Sequence, residues 1–109
     1  MALIASAFTG DTVQAPATSS PFQMTASRTL PRHYSFAERL ANADTCNYLA
    51  KHANTGQWEF GLGTWNSTTL QLTRTTILAT DAVLGGGSAR TFDGGNVEVV
   101  ITRSATFWS

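Results

Sequence analysis

The chain has 109 residues, which suffices for one domain whose core comes from a few large side chains. Only 13% of the residues are charged and the formal net charge is +0, so no electrostatic field favours nucleic acid or an anionic membrane surface. We therefore expect neither of them as a partner. A single cysteine, Cys46, rules out an internal disulfide, and no apolar run approaches the roughly 20 residues of a membrane-spanning helix. The first residues lack the basic region of a secretion signal, so we expect synthesis in the cytoplasm without export.

The N-terminal region, residues 1–34, holds all three prolines and many small polar residues, which predicts an extended arm with short strands. Residues 2–8 and 22–26 are the two candidate strands. Apolar side chains in a solvated arm would be exposed for no reason, so we expect the arm to bind a neighbouring subunit. A frayed arm is the alternative. The candidate contact residues here are Leu3, Ile4, Phe8, Phe22 and Met24.

Residues 35–109 are predicted to form a compact β domain that begins with a short helix. Ser35 and Glu38 have the spacing of a capping box, in which each side chain accepts a hydrogen bond from a backbone N–H at a helix start. A helix this short is stable only when its apolar residues pack on a sheet. The alternating residues from Thr45 to Lys51 predict the strand that follows, and Cys46 in it is expected to be buried and inert.

The central feature of this domain is a predicted β-hairpin over residues 57–80. Two alternating runs flank the polar turn at residues 66–68, and aromatic and β-branched residues favour strands. We expect Trp58, Phe60 and Leu62 to point into the core, with Glu59 and the two glycines on the other face. The second strand is expected to add Leu70 and Leu72 to the core. Trp65 is out of phase, which predicts a bulge or a second contact surface.

The end of the chain contributes a glycine loop at residues 85–88, an alternating strand at residues 97–101, and two aromatics, Phe107 and Trp108. We expect these aromatics and Trp65 to bind a partner. The predicted fold is mainly β: a small β-sandwich or a partly open β-barrel of about six or seven short strands, with one short helix and the extended N-terminal arm.

Few residues in the sequence suggest chemistry. His33 and His52 lack metal-ligand spacing, one cysteine cannot build a zinc site, and the carboxylates are scattered along the chain. We therefore predict no catalytic residue, metal or cofactor. Trp58 and Trp65 could stack on a sugar, which leaves a carbohydrate-binding module as a minor alternative.

Three segments together carry a resemblance to a known family: Phe36–Thr45, Trp58–Thr64 and Leu72–Ala79. Their order and spacing resemble a family of small tailed-bacteriophage virion proteins, with the pattern of a short helix, WE-x-G-x-GT on a strand, and TRTT-x-LA on the next. The match covers about three-quarters of the chain. It departs from the family around residues 80–84 and in the turn after Phe92.

The resemblance implies a non-enzymatic structural protein of the virion. We expect an accessory capsid decoration protein or the base of a head or tail fibre, attached through its N-terminal arm to other capsid, fibre or tail subunits. A tail-tip or fibre-attachment protein is the first alternative. The low charge and hydroxyl-rich surface also predict a homo-oligomer whose edge strands are covered by neighbours.

Overall fold

The computed structural model describes residues 3–4, 9–16, 20–30, 33–82 and 89–102. Its strands are β1 (Leu3–Ile4), β2 (Gly10–Gln14), β3 (Phe22–Gln23), β4 (Thr45–His52), β5 (Trp58–Asn66), β6 (Gln71–Thr80) and β7 (Asn96–Ile101), and its helix is α1 (Phe36–Arg39). The sheet order is β2-β7-β4-β5-β6-β3, with antiparallel neighbours throughout, while β1 pairs in parallel with the start of β4. The end strands β2 and β3 approach each other, so the sheet is a nearly closed barrel. The mainly β prediction is confirmed.

Helix α1 begins as the sequence predicts. The Ser35 hydroxyl accepts a hydrogen bond from the Glu38 N–H at 3.2 Å, and the Glu38 carboxylate accepts one from the Ser35 N–H at 3.0 Å. The helix ends at Arg39, and the chain turns after it at Ala43, whose φ is positive at 70°. Four residues have little stability alone, and Phe36 is fully buried against Trp65 with ring centroids 5.8 Å apart. Packing on the barrel therefore holds this helix.

The central hairpin is confirmed, with β5 and β6 paired from Glu59 to Asn66. The Asn66 side-chain oxygen accepts hydrogen bonds from the N–H groups of Thr68 and Thr69 at 2.9 and 3.0 Å, which closes the turn. The register shifts twice, between Phe60 and Gly61 and again between Leu62 and Gly63. Each shift leaves one extra residue on β6, Leu78 and Thr75, opposite the step into a glycine of β5.

The described part of residues 1–34 belongs to the barrel, which corrects the prediction of a separate arm. β2 pairs with β7 over five residues, and β3 pairs with β6. The Asp11 carboxylate accepts hydrogen bonds from the Thr29 hydroxyl at 2.6 Å and from the Phe36 N–H at 3.0 Å, so it ties β2 to the helix start. Burial raises the pKa of this carboxyl group. A boundary at residue 35 would cut through these contacts.

The core fills the interior of the barrel. Its largest fully buried side chains are Trp65, Tyr48, Phe22, Phe36 and Leu72, and Val97, Val99 and Ile101 line it from β7. Leu72 is thus confirmed as a core residue, and Leu70 is half-buried against the core. Phe22 and Met24 are 0% and 2% exposed, and Trp65 is 1% exposed. These three residues were expected to bind a partner, and that prediction is wrong, because the barrel itself buries them.

Candidate functional site

The two faces of β5 are the reverse of the sequence prediction. Glu59, Gly61, Gly63 and Trp65 face the interior and are buried, while Trp58, Phe60 and Leu62 are half-buried on the outer face. The prediction that this outward set forms the core is therefore wrong. Alternation alone shows that two faces differ, but it does not show which of them is enclosed.

The two glycines explain the reversal, because they leave interior space for large residues of neighbouring strands. A Cβ on Gly61 would run into the carbonyl oxygen of Thr76 and lie 3.0 Å from the Tyr48 hydroxyl oxygen. A Cβ on Gly63 would lie 2.9 Å from Leu72 side-chain atoms. The interior of a small barrel accepts only a limited volume of side chains. Tyr48 and Leu72 occupy that volume, so β5 contributes glycine opposite them.

The interior also contains a buried polar cluster formed by Tyr48, Glu59 and Arg74. The Tyr48 hydroxyl donates to Glu59 Oε2 at 2.6 Å, and the backbone N–H of Arg90 donates to Glu59 Oε1 at 2.7 Å. Arg74 Nε lies 3.2 Å from Glu59 Oε2, close enough for an ion pair. Its N–H is not directed at that oxygen, and neither Nε nor Nη1 has a hydrogen-bond partner in the described part of the chain. The contact is therefore mainly Coulombic.

Aromatic rings enclose the Arg74 guanidinium, whose central carbon lies 4.5 Å from the Phe22 ring centroid and 5.6 Å from that of Phe92. Burial lowers the pKa of Arg74, and the neighbouring Glu59 opposes that shift. Burial also raises the pKa of Tyr48, and the carboxylate of Glu59 raises it further. The side chains of Glu59 and Arg74 are 0% and 1% exposed. This cluster therefore joins β4, β5 and β6 from inside and does not face solvent.

His52 and Cys46, the other two residues considered for chemistry, are both buried in the fold. His52 is the last residue of β4 and is 2% exposed; its Nδ1 accepts hydrogen bonds from the N–H groups of Asn54 and Thr55 at 3.0 and 3.2 Å. Cys46 is fully buried, and burial raises the pKa of its thiol to about 12. Within the described ranges, no three His, Cys, Asp or Glu side chains come together as a metal-binding group.

The surface feature that the barrel leaves unexplained is a set of apolar residues on the outside of β4, β5, β6 and β7. We call it the outer apolar face, and its members are Leu49, Trp58, Phe60, Leu62, Ala79 and Val100. Val100, Leu49, Phe60 and Ala79 are direct register partners on consecutive strands, so they form one row across the sheet. An open groove of about 510 Å³ on this face is lined by Leu49, Lys51, Trp58, Phe60 and Ala79. All six members are partly exposed, and a contiguous apolar patch on a protein surface is a candidate interaction site.

Sequence reasoning recognised three members of this face but placed them inside, and it missed Leu49, Ala79 and Val100 as surface residues. The available signal was the pair Gly61 and Gly63, which indicates a crowded face. The predicted contact residues Leu3 and Ile4 are described only as the backbone of β1, and Phe8, Phe107 and Trp108 lie outside the described residues.

No helix in the described part of the chain is long and apolar enough to cross a membrane. Comparison of the chain with protein families, with curated proteins and with solved structures found no match in any of the three.

Proposed function

We propose that this chain is a non-enzymatic structural protein of a tailed-bacteriophage particle, acting as an accessory capsid decoration protein or as the base of a head or tail fibre. The motifs at Phe36–Thr45, Trp58–Thr64 and Leu72–Ala79 support the type of particle. The observation that carries the proposal is the outer apolar face, a partly exposed apolar row on a barrel whose interior is already filled.

The attachment surface assigned here differs from the arm that the sequence suggested. Phe22 and Met24 are enclosed in the barrel and are not available to another subunit. Trp58 and Phe60, in contrast, are partly exposed beside the groove. We therefore assign contact with the particle to the outer apolar face.

Trp58 and Trp65 lie on opposite faces of β5, so they do not form one carbohydrate-binding surface. Trp65 is 1% exposed and faces the interior, whereas Trp58 faces outward on the same strand. The groove beside Trp58 is also lined mainly by apolar side chains, with Lys51 as its one charged member. Apolar protein side chains fit such a lining better than the hydroxyl groups of a sugar do.

The test is incorporation of variants into particles. Trp58→Ser with Phe60→Ser should fold, because both side chains lie outside the core, and it should enter particles at no more than about a tenth of the wild-type copy number. Tyr34→Ser, a matched aromatic change on another exposed surface, should incorporate normally. Absence of the wild-type protein from purified particles would refute the virion role, and normal incorporation of the double variant would refute the assigned surface. Imaging of labelled particles separates capsid decoration from a tail position.

A further inference from the structure

We infer that the outer apolar face binds a second copy of this chain, so that the assembly unit is a two-fold dimer packed face to face. The inference rests on the proposed function only in taking this face as the contact surface. It adds the identity of the partner, and it derives from the charge and the register of the outward-facing residues.

The charges on this face are complementary to themselves. Lys51 on β4 and Glu98 on β7 are direct register partners, and both are exposed beside the apolar row. Neither takes part in an ion pair with any described residue. The other outward positions near them are apolar or carry hydroxyl and amide groups. A face with one unpaired base beside one unpaired acid offers little to a strongly charged partner, but it matches a rotated copy of itself.

The register determines which residues would meet. A two-fold axis that runs parallel to the strands, between β4 and β7, preserves the position along the strand and exchanges the two strands. Because Lys51 pairs with Glu98 and Leu49 pairs with Val100, each residue would lie opposite its register partner in the second copy. Two reciprocal Lys51–Glu98 pairs would then flank a central Leu49–Val100 contact.

The strands next to this pair only border the contact. The sheet curves into a nearly closed barrel, so β5 and β2 turn away from the axis on its two sides. Gly10 of β2 is buried, with Leu30 lying 3.2 Å from where a Cβ would be, so Leu30 borders the contact on that side and Phe60 of β5 borders it on the other.

The size of the face sets the expected strength. Two strands about 5 Å apart, in contact along about 20 Å, give a contact that is small compared with a standard interface of roughly 800 Å² on each partner. We therefore expect a dimer that dissociates at about 10 to 100 μM.

The experiment is sedimentation of purified protein in the absence of particles, with charge reversals. Lys51→Glu and Glu98→Lys should each weaken self-association about tenfold, because each places two like-charge pairs across the interface. Mixing the two variants should restore wild-type affinity, because the mixed dimer again has opposite charges at both pairs. If each substitution only destabilised the fold of its own chain, mixing the two variants would not restore the affinity. The control is Asp93→Lys, which changes the net charge by the same amount as Glu98→Lys but lies on a loop. It should leave association unchanged.

A monomeric wild type at 1 mM, or variants that do not rescue each other, would overturn the inference. Leu49→Ser, at the centre of the contact, should also abolish the dimer, and circular dichroism checks that it folds; the charge-reversal mixture decides the question if it does not. Particle uptake that requires the face while the purified protein stays monomeric would refute the dimer and leave the proposed function standing. A dimer with normal rescue, from a protein absent from particles, would refute only the proposed function.

Discussion

Removal of the positive charge from the buried polar cluster should cause one of the largest losses of stability available in this chain. The perturbation is Arg74→Met, which keeps a long apolar side chain between the rings of Phe22 and Phe92 but deletes the guanidinium. The Glu59 carboxylate would keep its hydrogen bonds from Tyr48 and from the Arg90 N–H, but it would lose the one charged side chain that pairs with it.

The expected magnitude follows from the burial of the pair, whose side chains are 1% and 0% exposed. Loss of one partner from a buried ion pair costs about 3–5 kcal/mol, out of a total of roughly 5–15 kcal/mol for a small domain. Adding Glu59→Gln should recover most of that loss. Glutamine is neutral, and its side-chain oxygen can still accept a hydrogen bond from the cluster.

The assay is urea unfolding at pH 7, followed by circular dichroism and extrapolated linearly to water. Arg90→Met is the matched control, because Arg90 pairs with Asp81 where both side chains are about a quarter exposed, and such pairs contribute roughly 0–1 kcal/mol. If Arg74→Met loses no more stability than this control, or if the double variant is as unstable as the single one, the reasoning about an uncompensated buried charge is wrong.

Three further predictions concern other features of the barrel. Gly61→Ala should lower the free energy of unfolding by about 1–3 kcal/mol, because its Cβ would meet a backbone carbonyl of β6, whereas Gly94→Ala, with no atom within 4 Å, should be neutral in the same urea assay. The pKa of Glu38 is lowered from 4.5 to about 2, first by its hydrogen bond from Arg28, so this stabilisation is complete above pH 4.5 and lost as the pH falls towards 2. Glu38→Gln should therefore show a smaller loss of stability across that range, and an unchanged acid profile would contradict the assignment. Cys46, buried and with its thiol pKa raised to about 12, should react with a thiol reagent at pH 8 only as fast as the protein unfolds; rapid reaction of the native protein would contradict its burial.

Local sequence patterns determined the elements of this fold, because their causes lie within a few residues. The capping box at Ser35 and Glu38 requires only two groups three positions apart, and it forms as predicted. The hairpin of β5 and β6 follows from alternation around a polar turn. The alternation of Val97, Val99 and Ile101 likewise identified the last strand.

The tertiary structure alone decided which face of β5 is inside and where the candidate site lies. Alternation does not show which face of a strand is enclosed. The usual rule that large apolar residues face inward therefore predicted Trp58, Phe60 and Leu62 in the core. The interior was instead filled by Tyr48, Leu72 and Phe22 from three other strands, and only the closure of the barrel brings these together.

The site shows the same dependence on closure. Val100, Leu49, Phe60 and Ala79 are far apart in sequence and become one row only through the strand register. The prolines and small polar residues of residues 1–34 predict an arm, yet β2 and β3 from this region are the strands that nearly close the barrel. The physical reason is that burial depends on the summed volume of side chains from distant segments, and no local window of sequence contains that sum.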